Sequence, residues 1–380
     1  MKLLKKIIAK FISSLGLNRL IFKLKKKKNK NNKETIQIAN LDIDVLKSKL
    51  ASISPCPNGE VFCTNNIIKP CLWDLMIIVP SYNMAEFLPE CLDSIVSQET
   101  KYKFKVLVIN DGSTDNTPKV LDNYRGNPYV FIIDQENKGF SGARNVALNY
   151  IDSKYIMFVD ADDYLLPGAV EGLLNSAFLN DADIVQGNHY NFLNNGLKVK
   201  KTKLKDKKGN PFGSIGGYPW AKVFKSDLFE NLGYPEGYWY EDTMIPYILF
   251  LKCEDSSYTV SNFVYAHRVN FKGITLTSNK FKKSVDSYWI VEKMLQELPR
   301  YQIEICQPLY EQTLYQLYRN YDRCKYLTKE DQKLIFVMYV KLFRKYFSGY
   351  KTQKSYMHQY LEEAVNNVDF ELYENTCKYL

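Results

Sequence analysis

Residues 155–163 read YIMFVDADD, an apolar run that ends in three carboxylates. Tyr155 to Val159 has the β-branched and aromatic character of a buried strand, so Asp160, Asp162 and Asp163 should stand at its carboxyl end, where open α/β sheets bind ligands. In an extended chain, residues two apart project to the same side. The Asp160 and Asp162 carboxylates then repel each other unless a cation or a proton intervenes. A divalent metal answers this economically, because Mg²⁺ or Mn²⁺ takes hard oxygen ligands and completes a two-carboxylate shell with water and phosphate oxygens. The competing reading is a solvated acidic turn.

The neighbouring stretches repeat the pattern. Met76 to Ser81 reads as a buried strand that Pro80 ends, and it continues into Tyr82-Asn83. Lys105 to Ile109 is a second strand emptying into Asn110-Asp111-Gly112-Ser113-Thr114-Asp115, and between the two strands Ala85 to Ser97 has helical spacing. Tyr129 to Ile133 is a third strand, followed by the loop from Asn137 to Asn145 and then the acidic strand. Four strands thus deliver polar loops to one edge.

The succession IIVPSYN, VINDGSTDNT, NKGFSGARN and FVDADD, in this order, resembles the glycosyltransferase family 2 domain. The resemblance runs on through Trp220 to Phe224 and Tyr240-Glu241-Asp242 to about Asn279. It implies an α/β fold of the GT-A type: a Rossmann-like mixed sheet flanked by helices. It also implies an inverting transfer of a sugar from a nucleotide-sugar, UDP-linked by the family pattern, to a hydroxyl of a glycan or lipid-linked acceptor in cell-surface polysaccharide synthesis. The enzyme class is then hexosyl- or N-acetylhexosaminyl-transferase.

Carried over by position, Pro80 and Tyr82 line the base pocket and Asp111 accepts from the uracil ring nitrogen. Asn137 and Arg144 contact the nucleotide or diphosphate, although Arg144 could equally be a structural cation paired with a strand-end acid. Asp160 lies near the ribose and metal, and Asp162 is the direct ligand of Mn²⁺ or Mg²⁺. Asp163 reads as a cap for a helix from Leu166 onward. Asp242 is the base that takes the acceptor proton as the hydroxyl attacks, and Glu241 stands beside the acceptor; an acid pair complementing a helix dipole is the alternative for both. Trp220 and Trp239 could pack against an acceptor sugar or belong to the core. Arg268 matches a diphosphate-contacting arginine, while Gly273 stands where the family often has a serine. His267 could join the metal or be a structural group. The glycine-bearing loop Gly209 to Gly217 could act as a lid. Two rivals to an active transferase are a nucleotide-sugar-binding subunit without turnover and a nucleotidyltransferase, but Ser81-Tyr82-Asn83 does not resemble the triphosphate loop that the latter needs.

Composition bounds the rest. A chain of 380 residues, 46% hydrophobic and 14% aromatic, can bury a sizeable core. Its net charge of +9 is concentrated: residues 1–33 hold twelve Lys or Arg and no acid, leaving 39 basic against 42 acidic residues beyond them. Leu3, Leu4, Ile7, Ile8, Phe11, Ile12 and Leu15 form one helical stripe beside lysines, a pattern suited to lying in an anionic membrane interface rather than crossing it. The segment lacks the uninterrupted apolar core of a signal peptide. No DNA- or RNA-binding signature accompanies the charge, which argues against nucleic acid as partner. These features place the protein in the cytoplasm, peripherally on the inner face of the membrane.

Residues 34–72 read as a connector with a helical hint from Ile36 to Leu50. Cys56, Cys63 and Cys71 lack zinc-module spacing, and eight cysteines without an extracellular signature suggest a reducing compartment. Lys198 to Lys208 reads as a solvated charged loop. From about Phe281 the chain turns helical and tyrosine-rich, giving an expected division into segments 1–33, 34–72, 73–280 and 281–380, with a homo-oligomer left open.

Overall fold

The computed structural model describes residues 33–59, 70–253, 255–271 and 273–379. The basic stripe expected at residues 1–33 therefore lies outside the described residues apart from Lys33, as does Cys63. The chain divides into a unit of residues 57–276 and a second unit built from residues 1–56 and 277–380.

Among the described residues of the first unit, ten strands form one mixed sheet: β1 Trp73–Ser81, β2 Phe104–Asp111, β3 Val130–Gln135, β4 Ser153–Phe158, β5 Tyr164–Leu165, β6 Ile184–Phe192, β7 Lys198–Lys201, β8 Lys207–Gly209, β9 Lys222–Lys225 and β10 Ser257–Arg268. The main order is β3-β2-β1-β4-β9-β6-β10-β5. β1 pairs in parallel with both β2 and β4, so the chain leaves β1 toward one side and returns on the other. That reversal opens a crevice at the carboxyl ends of β1 and β4, the place where such sheets take ligands. β1, β2 and β4 are buried almost throughout, which explains their unbroken apolar sequence. The helices Leu88–Val96 and Ala169–Asn180 supply Leu88, Leu92, Ile95, Leu173 and Leu174 to the same core as Ile77, Val79, Met157 and Val159.

Two local expectations need correction. Asp163 does not cap the following helix, which starts at Ala169 behind a left-handed Gly168; its Oδ1 accepts instead from the Arg268 backbone N–H at 2.6 Å. The helix whose dipole Glu241 and Asp242 were read as complementing is no ordinary α-helix: it is a 3-10 turn, Glu241–Thr243, followed by a π-helical turn, Ile245–Leu249. Pro246 has no N–H to donate to an α ladder there, and such turns recur at functional sites.

In the second unit the helices Asp286–Glu297, Gln307–Cys324, Lys329–Tyr346, Tyr356–Asn366 and Phe370–Tyr379 bury Tyr288, Leu314, Phe336, Leu361 and Tyr373. Residues 33–53, read from sequence as part of a connector, form the helices Lys33–Ala39 and Ile43–Ile53 of this unit. Asp42 caps the second of these by accepting from Asp44 N–H at 2.8 Å, and Leu46 and Leu50 are fully buried.

Candidate active site

The loops at the crevice are locked to one another. Asn83, in the left-handed conformation with φ 55°, places its Oδ1 to accept from Thr114 N–H at 2.8 Å, while its own N–H donates to Ser113 Oγ at 3.0 Å. The loop after β1 is thereby fixed to the one after β2. Tyr82 keeps a ring 45% exposed at the rim beside Pro80, as a stacking platform requires. Asp111 is buried at the end of β2, with Oδ1 accepting from Gln135 Nε2 at 2.6 Å and from Lys138 N–H at 2.8 Å. Gly112 next to it has φ 70° and lies so close to Asn137 that a β-carbon would stand 2.7 Å from the Asn137 nitrogen. Asn137 itself accepts from Gly139 N–H at 3.2 Å.

At the end of β4 the acids divide their tasks. Asp160 N–H donates to Tyr265 Oη at 3.1 Å, and Asp160 Oδ1 accepts from Arg144 Nη2 at 3.3 Å. Asp162 is half-buried, and its Oδ2 accepts from Asn270 Nδ2 at 3.1 Å. Burial raises the Asp160 carboxyl against the opposing pull of Arg144, and burial beside Asp160 and Asp162 raises Asp163 much further.

Arg268 is bonded to this turn. Its Nε donates to the Asp162 carbonyl at 2.7 Å, Nη1 to Asn194 at 3.3 Å, and Nη2 is paired with Glu90, while Phe87 and Phe192 flank the guanidinium at 4.8 and 4.5 Å. Each guanidinium nitrogen is engaged, so Arg268 braces the acidic turn. Gly273 lies near the Asn270 carbonyl, and a β-carbon on it would come within 3.2 Å of that oxygen.

Arg144 is the centre of the arrangement. Its side chain is only 6% exposed, Nη1 donates to Glu241 Oε1 at 2.5 Å, and the Tyr234 ring covers it at 5.3 Å. One cation thus ties Asp160 to Glu241, reaching from Arg144 to a carboxylate 97 residues further along the chain. Asn145 beside it holds Tyr234 by accepting from its N–H at 2.6 Å and donating to its carbonyl at 2.9 Å. These ion pairs are of the kind expected for a structural cation paired with a strand-end acid, one of the two roles that the sequence left open for Arg144. Burial pushes Glu241 up to about 7, reinforced by Asp242 and opposed by Arg144. Arg144 is itself held further on the protonated side, because two carboxylates share its one charge.

Asp242 follows at the base of the π-helical turn, half-buried and within electrostatic reach of Lys222. Lys222 carries a signal the sequence did not disclose. Its fully buried Nζ donates to the carbonyls of Gly216 at 2.5 Å and Tyr218 at 2.6 Å, and burial drives its pKa well down. With Gln186 accepting from Gly216 N–H at 2.7 Å, it pins the glycine-bearing loop that was read as a lid.

Trp220 lies in an aromatic stack, 3.9 Å from Tyr218, 5.0 Å from Tyr265 and 4.7 Å from His267 by ring centroids. That packing joins it to the framework of the site. Trp239 is half-buried with its ring edge-on to Tyr240 at 6.5 Å. His267 has Nδ1 3.4 Å from Asn191 Nδ2, and burial lowers its pKa, keeping the imidazole neutral in spite of Asp160 and Asp162 nearby. A neutral imidazole beside two acids suits a divalent cation. Among the described residues no three His, Cys or acid side chains converge enough to enclose a metal.

Residues 76–234 match the model described as glycosyl transferase family 2. A glycosyltransferase of Streptococcus pneumoniae, GlyA, is 30% identical over 215 residues, covering 51% of this chain and 30% of GlyA. The chondroitin synthase of Pasteurella multocida is 42% identical over 155 residues, covering 40% of this chain and 14% of that protein. The match thus spans well under two thirds of either relative's length. Among solved structures, S. aureus TarS 1-349 in complex with UDP-GlcNAc superposes with a TM-score of 0.61 at 19% identity, over 80% of this chain and 90% of that one, a likeness of fold.

Proposed function

Because this chain belongs to glycosyltransferase family 2, we propose that it is an inverting enzyme that moves a hexosyl or N-acetylhexosaminyl group from a UDP-sugar to a hydroxyl of a glycan or lipid-linked acceptor. The observation that carries this reading is the buried Arg144 bridge, which joins the acidic strand end to Glu241 and so to Asp242. A donor bound along the crevice has its base against the Tyr82 ring and its diphosphate at Asp160 and Asp162. Asp162, aided by His267, would hold Mn²⁺ or Mg²⁺, whose charge stabilises the leaving diphosphate. Asp242 then takes the acceptor proton as the oxygen attacks the anomeric carbon, since Glu241 is committed to Arg144. One displacement with one base inverts that centre, and the donor's own leaving group makes a second carboxylate nucleophile unnecessary. The basic amino-terminal segment tethers the enzyme to an anionic membrane surface, where polysaccharide is assembled.

A screen of nucleotide-sugars for metal-dependent donor hydrolysis tests this directly. Asp162→Asn should abolish turnover with the fold intact, and Asp242→Asn should spare donor binding but slow transfer about 100-fold or more. Binding without turnover for every donor would favour a non-catalytic subunit. Full activity of Asp162→Asn, or activity in excess chelator, would remove the metal role.

A further inference from the structure

The segment 198–208, KVKKTKLKDKK, carries seven lysines against the single acid Asp206, and all seven are exposed. It is a built ribbon. β7 pairs antiparallel with β6, and β8 pairs antiparallel with β10. Between them Thr202 N–H donates to the His189 carbonyl at 2.9 Å, Leu204 N–H to Asn188 Oδ1 at 2.7 Å, and Thr259 Oγ1 to the Lys205 carbonyl at 2.6 Å. Asp206 accepts from Ser261 N–H at 2.6 Å. Polar side chains of the neighbouring strands thus hold the backbone while the cations point to solvent.

The register adds a second observation. Residues three apart on a regular strand face opposite sides, yet a shift between Asn191 and Phe192 sets Lys201 opposite Tyr190 and Lys198 opposite Phe192, bringing both lysines to one face. There they line an open groove of about 310 Å³ with Tyr190, Phe263, Leu166 and Pro167. Lys198 Nζ stands 4.1 Å over the Tyr190 ring, and Phe263 keeps 40% of its surface exposed. Leu166 and Pro167 follow the acidic turn after the two-residue strand β5, and Tyr164 in that strand shares a 3.0 Å hydrogen bond with the Tyr190 hydroxyl. The groove therefore opens next to the crevice through covalent and hydrogen-bonded neighbours.

We propose that this groove and its lysine ribbon bind the acceptor, and that the acceptor is a sugar or polyol chain joined by phosphodiesters. The proposal rests on the transferase reading and names its acceptor class. Aromatic faces suit the carbon side of sugar or polyol units, and lysines suit phosphate as compact point charges. Charge density chooses between anionic polymers: seven cations within eleven residues match a chain with one charge at every repeat better than one with sparse carboxylates.

The test measures binding of the full-length protein, without donor, to short glycerol-phosphate oligomers by titration calorimetry. Uronate-containing oligosaccharides, neutral dextran oligomers and anionic phospholipid vesicles serve as alternative probes. The phosphodiester oligomer should bind with an affinity that falls as salt rises, and Lys198→Gln/Lys201→Gln should weaken it about tenfold or more. Phe263→Ala should also weaken it, and neither variant should change the rate of donor hydrolysis. Should the double variant misfold, Lys203→Gln/Lys205→Gln takes its place with the same expectation. Unchanged binding in the folded variants overturns the proposal. So does equal affinity for uronate or neutral oligomers, or vesicle binding lost with the same lysines. If the protein hydrolyses no nucleotide-sugar yet binds the oligomer through these residues, the donor reading fails and the polyanion site stands.

Discussion

Burial of the Glu241 carboxyl, with the charge of Asp242 beside it, keeps its proton on up to about 7 against the pull of Arg144. The sign of its effect on stability follows. A carboxyl whose folded pKa is raised stabilises the fold most below its ordinary value of 4.5 and loses that contribution as pH climbs through about 7. Glu241→Gln mimics the protonated form, so its stability relative to the parent should improve between pH 5 and 8, by about 1 to 3 kcal/mol. Chemical denaturation at a series of pH values reads this out, and parallel pH profiles for the two proteins would refute it. The sequence made Asp160, Glu241 and Asp242 legible as acids at element ends. That one arginine joins two of them was not legible, because nothing in a linear chain says which carboxylate 97 residues away completes a charge.

Among the elements, the strands were readable because β1, β2 and β4 are buried on both faces and so are apolar at successive positions. Lys222 was not. A lysine beginning β9 looks like a surface residue, and its burial depends on two carbonyls supplied by a loop. That loop packs on the π-helical turn beside Asp242, since a β-carbon on Gly217 would touch the Pro246 ring at 3.6 Å. Lys222→Met keeps the volume but leaves both carbonyls without a donor, at a cost of about 1 to 3 kcal/mol each, partly offset because no ammonium need be buried. Faster amide exchange over residues 213–220 and slower sugar transfer are the expected outcomes. Native protection of that loop in a folded Lys222→Met variant would show that the lysine does not hold it.

At the scale of the whole molecule, the two units explain why the sequence reading blurred at 33–72. The helices there are short, and the helix Ile43–Ile53, with Leu46 and Leu50 buried, packs on the helix Lys329–Tyr346 far along the chain. No helix among the described residues is long and apolar enough to cross a membrane. Twelve cations and an apolar stripe within residues 1–33 supply two weak signals that together can hold a protein at an anionic surface, with about 1 kcal/mol from each lysine or arginine close to it. Removal of residues 1–33 should release the protein from anionic vesicles, and salt should weaken binding of the full chain by screening. The shortened protein should still hydrolyse a soluble donor, because Pro80, Tyr82, Asp162 and Asp242 all lie in the unit of residues 57–276. It should glycosylate a membrane-embedded acceptor poorly. Equal sedimentation of the full and shortened proteins with anionic vesicles would reduce the segment to a solvated tail and move the search for the membrane contact to the lysine ribbon.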